Sequence, residues 1–244
     1  MPINSLADLD RLRHLDAQAV RHTVSLVRGV TSDGLGRPTP CSAWTLADLL
    51  AHMTAQHHGF AAAALGHGED LAHWQVLPPA EDAATEYAEA AELAITAFAS
   101  VTAPDRVFTL PELPAVQTFP AARAIGFHFL DHVVHGWDIA RSLGLAYDPD
   151  PELLAAALPI ALAVPDGGLR LAPDSAFRPA LPARDGASAL ERILTALGRS
   201  PGWRAPTGDR ASGSGSSPIS SPILSPISSP SPDQGSAVVR STTC

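Results

Sequence analysis

The chain has 244 residues, a formal net charge of −9, and 45% hydrophobic residues against 5% aromatic. That length suits one domain of about 150–200 residues with a sizeable core, and abundant alanine with few aromatics favours packed helices over a sandwich of strands. The acidic balance lacks any basic cluster to engage a phosphate backbone, which argues against a nucleic-acid partner.

The first predicted helix starts at Ser5, with Asp8 at capping-box spacing, and runs to about Arg28 before Gly29. Leu9, Leu12, Val20, Val24 and Val27 form its apolar stripe. The loop TSDGLGRPTPCSA follows, dense in glycine and proline. Thr45 then caps a second helix with Asp48 three residues on, and Trp44 and Leu49 stand at staple positions. That helix reaches about Leu65. In the connection GHGEDLAHWQVLPP, the pair His73–Trp74 either folds over a pocket or covers core.

A third helix is predicted from about 80 to 101, with Tyr87, Ala91, Ala94, Phe98 and Val101 at helical spacing. The proline-rich stretch RVFTLPELPAVQTF reads as extended. Thr118 and Pro120 then open a fourth helix that ends at Gly144. With short connections, these elements predict an all-α fold: an antiparallel four-helix bundle over residues 1–148. PELLAAALPIALAV and ASALERILTALGR extend it as a helical C-terminal extension, residues 149–206. From 207 to 244 a Ser/Pro-rich repeat that cannot bury a core predicts a disordered tail.

Only two cysteines occur, Cys41 and Cys244, so no disulfide framework is implied. All 16 basic residues are arginine, which with the wealth of alanine and proline points to a GC-rich bacterial genome. The N-terminus shows no basic-then-apolar signal pattern, and the longest apolar run, LLAAALPIALAVP, is too short for a bilayer. A cytoplasmic protein without a membrane partner is the expectation.

The chemistry concentrates in the fourth helix, in HFLDHVVHGWDIA, residues 128–140. On a helical wheel His128, Asp131, His132 and His135 share an arc of about 100°, and Phe129, Leu130, Val133, Val134 and Trp137 take the opposite side. One reading has the apolar side facing the core and the polar stripe facing water. The other notes that the stripe consists of metal-binding residue types, with Asp131/His135 and His128/His132 each four apart, the spacing that aims two donors at one point. Two ligands on one helix need a third from elsewhere, and His52 in the second helix, flanked by Leu49, Leu50 and Met53, is placed to supply it.

Three blocks in order, GRPTPCSAWTLADLLAHM, DHVVHGWDIARSLG and ALERILTALGRSPGW, resemble a bacterial metal-binding family related to the N-terminal domain of mycothiol-dependent maleylpyruvate isomerase. That family lies within the DinB-like four-helix superfamily, and the resemblance spans about residues 5 to 203. The family's histidine late in the second helix falls on His52, and its carboxylate-x-x-x-His pair falls on Asp131 and His135. The resemblance therefore implies a metal site of His52, Asp131 and His135. Aspartate is one methylene shorter than glutamate, so the helix sits closer to the metal or His132 or a water substitutes; His128 and His132 are the rival pair. Cys41 reads as a small buried residue at a helix entry. Asp138 is either a partner that orients a ligating histidine or a partner of Arg141 or backbone.

Two imidazoles and a carboxylate leave coordination positions open on a divalent ion. Zinc fits these ligands best, with iron(II) and nickel as alternatives. The resemblance implies an enzyme, a thiol transferase or isomerase in which a low-molecular-weight thiol of mycothiol type is activated against a small electrophilic substrate. Arg123 and Arg141 flank the stripe as candidates for an anionic substrate. Two other readings are a metal-dependent tailoring enzyme of secondary metabolism (hydrolase, cyclase or oxygenase-like) without a thiol, and a non-catalytic metal- or ligand-binding protein. A homodimer through the bundle is left open.

Overall fold

In the structure, a computed structural model, residues 6–41, 44–111, 117–171 and 176–206 are described. The Ser5 cap and the Ser/Pro tail lie outside them.

Four long helices make the bundle: α1 Leu6–Val27, α2 Leu46–Leu65, α3 Ala83–Ala99 and α4 Ala121–Leu143. Local chemistry sets their ends. Thr45 and Asp48 form the reciprocal capping box expected for α2, and Gly66 closes that helix in the left-handed region at φ 91°. Asp82 caps α3 by accepting from the Thr85 amide, which starts it three residues later than the sequence suggests. Pro120 precedes α4, and Gly144 ends it at φ 73°. Thr118, expected at the helix entry, instead lies in a short antiparallel pair, β1 Val107–Leu110 with β2 Gln117–Pro120, where Phe108 faces Phe119. Two further helices follow, α5 Pro151–Leu162 and α6 Ala189–Ala196.

Around the bundle each long helix packs on two others, in the order α1, α4, α2, α3. Side-chain contacts give the directions. Arg13 of α1 meets the Phe98 carbonyl of α3 while Thr23 meets Tyr87, so α1 and α3 are antiparallel. His52 of α2 stands by His135 of α4 while His57 stands by His128, so these two are antiparallel as well. Asp16 meets His128, and His22 stacks on Tyr147, whose hydroxyl donates to the Val133 carbonyl. Hence α1 and α4 run in the same sense, and so do α2 and α3. The consecutive helices α2 and α3, being of like sense, need a crossover, which the connection 66–82 supplies. Helices α1 and α2, and α3 and α4, are not neighbours in the packing order, so the connections 28–45 and 100–120 span the bundle diagonally.

Helix α4 is the central strut, buried on nearly every side. Its apolar residues Phe129, Leu130, Val133, Val134 and Trp137 share one core cluster with Leu153, Ala157 and Ala161 of α5 and Ile193 and Leu194 of α6. The polar stripe also avoids water: His128 and His132 are 0% exposed and His135 is 3% exposed. The C-terminal helices thus help to cover the side of α4 that the wheel assigned to the core, and the histidines turn into the bundle. Tyr147 closes over α4 at Gly136, where a Cβ would come within 2.8 Å of its hydroxyl. Trp74 covers core: it is 1% exposed, packs on Gly59 and donates from Nε1 to the Gly68 carbonyl. Among the described residues no helix is long and apolar enough to cross a membrane.

Candidate metal centre

Two histidine clusters sit between α2 and α4. The outer one joins His52, Asp131 and His135, each offering one ligand atom within 4.8 Å of the others. The antiparallel pairing of α2 and α4 brings His52 level with Asp131 and His135, and the i, i+4 spacing puts the latter two on one face. His135 Nε2 is 3.3 Å from Asp131 Oδ1, and His52 Nε2 is 4.0 Å from Asp131 Oδ2. Short as it is, Asp131 thus lies within reach of both histidines. Trp44, at the entry to α2, packs its ring 4.8 Å from His52 and 6.1 Å from His135. His52 and Asp131 keep 21% and 24% of their side chains exposed, so this cluster has a side open to solvent.

Charge is arranged in a chain behind His135. Its Nδ1–H donates to Asp138 Oδ2 at 2.9 Å. Asp138, fully buried, also accepts from Arg199 Nε at 3.1 Å and Nη2 at 3.0 Å. Of the partners considered for Asp138, the structure shows a histidine and not Arg141: Asp138 fixes the His135 ring and Arg199 fixes Asp138. The Cys41 sulfur lies 3.5 Å from Asp138 Oδ2, with Cys41 2% exposed, so Cys41 is buried at the helix entry as expected. Arg123 lies over the Phe119 and Phe127 rings and Arg141 over Trp137, which engages both guanidinium planes with aromatic faces.

The electrostatics divide the three outer residues. Burial drives the His52 pKa down to about 4, only partly countered by Asp131, so His52 is neutral at pH 7. Burial would also lower His135, but Asp131 and Asp138 outweigh it and raise it to about 9. Burial would raise Asp131, but His135 and His52 hold its carboxyl well below the usual range. Asp138 is likewise depressed, with the Arg199 charge overcoming its desolvation. Without an ion, His135 is therefore an imidazolium between two carboxylates. Asp131 Oδ2 is buried without a hydrogen-bond partner, an orphan acceptor of the kind a cation satisfies. Two imidazoles and a carboxylate, with one ligand atom of each within 4.8 Å of the others, fit a divalent ion.

The inner cluster holds His57, His128 and His132, each 0% exposed. His128 Nδ1–H donates to Asp16 Oδ1 at 2.7 Å, and His132 Nδ1–H donates to the His128 carbonyl at 2.8 Å. The pair considered as a rival to Asp131 and His135 thus faces His57, and not His52. Burial lowers the pKa of His57 and His132 well below the usual histidine value. His57, Asp16 and Arg199 escaped the sequence reading. Arg199 lies inside the quoted block ALERILTALGRSPGW, so its place there was the available signal; His57 and Asp16 had none beyond their residue type.

The family model for the mycothiol maleylpyruvate isomerase N-terminal domain matches residues 17–140. The chain belongs to this family. A relative is the uncharacterized protein Rv0738 of Mycobacterium tuberculosis, 33% identical over 147 residues, which are 57% of this chain and 71% of the relative. The uncharacterized protein MT0763, from another strain of that organism, matches equally. Among solved structures, a histidine-to-alanine variant of mycothiol-dependent maleylpyruvate isomerase aligns with a TM-score of 0.49 and 15% identity, over 66% of this chain and 71% of that one. The matched region contains His52, Asp131, His135 and Asp138 but ends before α5, α6 and Arg199.

Proposed function

We propose that His52, Asp131 and His135 hold a divalent metal ion, zinc by preference, and that the protein is an enzyme activating a low-molecular-weight thiol of mycothiol type. The thiol would be transferred to a small electrophilic substrate, or would act catalytically in its isomerisation. The observation that carries the reading is the gathering of these three side chains, one ligand atom of each within 4.8 Å of the others, beside an Asp131 oxygen that has no hydrogen-bond partner among the described residues. Membership of a family named for a mycothiol-dependent isomerase supports the choice of thiol.

A bound ion would act as a Lewis acid and lower the pKa of a coordinated thiol or water. The chain's own residues do the rest. His52 is neutral and offers its lone pair at no proton cost. His135 gives up a proton to bind, and Asp138 then holds its Nδ1–H and keeps Nε2 aimed at the centre. Arg199 keeps Asp138 ionised through this exchange. Trp44 shields the two imidazoles on the loop side, and the open side at His52 and Asp131 is where thiol and electrophile would meet.

The test combines metal analysis with turnover. Full-length protein without a histidine tag is expected to carry an ion, and the loaded protein to consume mycothiol or a related thiol with electrophile. His52→Ala is expected to lose both. Binding without thiol turnover across a broad electrophile panel would leave the metal site standing and overturn the thiol reaction.

A further inference from the structure

We propose that His57, His128 and His132 form a second divalent-metal site, a three-imidazole cage for a zinc-class ion. It does not depend on the outer site or on the thiol reaction. One ring nitrogen of each residue lies within 4.8 Å of the others. His57 Nδ1 and His128 Nε2 are 3.2 Å apart, close to the roughly 3.3 Å between donors around a tetrahedral ion with metal–nitrogen bonds of about 2.0–2.1 Å.

Tautomers point the same way. His128 spends its Nδ1–H on Asp16 and His132 spends its own on the His128 carbonyl, so Nε2 of each carries a lone pair, that of His128 facing His57 Nδ1. The His128–Asp16 contact is the carboxylate–histidine arrangement that orients metal ligands. His132 Nε2 has no hydrogen-bond partner among the described residues, although the residue is 0% exposed. The surroundings are otherwise aromatic: the rings of Phe60 and Phe98 lie 5.1 and 5.0 Å from His128, and Tyr87 lies 5.1 Å from His57. The Tyr87 hydroxyl is already engaged with Thr23.

Charge supplies an independent argument. Asp16 is 1% exposed; its Oδ1 accepts from His128 Nδ1–H, and its Oδ2 has no hydrogen-bond partner among the described residues. A buried carboxylate is stable only when its charge is compensated, and a dication behind His128 provides that. A ligand set made wholly of imidazole selects late first-row ions over magnesium or calcium. The cage lies in the core, so an ion held there exchanges slowly compared with one at the outer site.

Co(II) titration of the full-length, untagged protein tests this through stoichiometry and visible absorption. Wild type is expected to bind two equivalents. A His52→Ala/His135→Ala variant is expected to keep one, with the tetrahedral absorption band of a histidine-ligated ion, and adding His57→Gln is expected to remove it. His132→Phe, which fills the same space without a donor, guards against a His57 variant that fails to fold by circular dichroism. The proposal is overturned if the folded His52→Ala/His135→Ala variant binds no Co(II), or if folded His57→Gln or His132→Phe retains the full wild-type stoichiometry. Failure of the outer site reads differently: wild type would bind one equivalent, lost on His57→Gln and untouched by His52→Ala/His135→Ala.

Discussion

The same two helices carry both histidine clusters, yet the two are built on opposite electrostatic plans. The outer cluster mixes imidazole with carboxylate and is backed by the Asp138–Arg199 ion pair, so without an ion it holds a proton on His135. The inner cluster is three imidazoles walled by aromatic rings, with its one carboxylate a step away on α1. The outer cluster reaches solvent and the inner does not. Residue type alone therefore says little about what a histidine does. What decides is which carboxylate its second nitrogen meets and whether water reaches the first.

The largest break in this comparison is His135→Ala. Removing the imidazole that bridges Asp131 and Asp138 is expected to abolish binding at the outer cluster, with at least a hundredfold loss in isothermal titration, and to leave the inner cluster unchanged. Asp138→Ala acts on stability instead. It removes the buried carboxylate that accepts from Arg199 Nε and Nη2, and losing one partner of a buried pair costs about 3–5 kcal/mol. Urea denaturation of the metal-free protein reads that loss, and the Asp138→Ala/Arg199→Met double variant is expected to recover part of it.

How much of this was legible beforehand differs by element. The α2 capping box and the Gly144 stop were plain because they are local chemistry, written within a few residues. His52, Asp131 and His135 were found through spacing and family likeness. The orientation of the α4 stripe was not readable, because a wheel gives a periodicity without saying which side meets the bundle and which meets α5 and α6. His57 and Asp16 were invisible for a related reason: each is a lone polar residue whose meaning appears only when the long crossovers set α1 and α4 side by side in the same sense. Arg199 lies 61 residues from Asp138, and no local pattern links them.

A smaller effect sharpens the electrostatic contrast. His135 has a folded pKa of about 9, raised from 6.5, so a bound ion must displace its proton at neutral pH. Outer-site affinity is expected to rise up to about tenfold per pH unit between about 6.5 and 9 and then level off. His57 and His132, both held well below the usual histidine value by burial, are expected to add no such dependence at the inner site. The linked effect on the metal-free protein has the opposite sign. The raised pKa contributes stability that is fully present below about pH 6.5 and is lost as the pH climbs through 9, which thermal melts with chelator would record. The smallest expected effect is a control: Thr45→Ala removes the α2 cap at a cost of about 1 kcal/mol and leaves ion binding at both clusters intact.

The most direct measurement is anomalous diffraction at the zinc absorption edge from crystals of the full chain grown with zinc. The account predicts an anomalous peak bonded to His52 Nε2, Asp131 and His135 Nε2, with His135 Nδ1 still on Asp138. Crystals that show these side chains ordered, zinc present in the medium and no peak among them would contradict it.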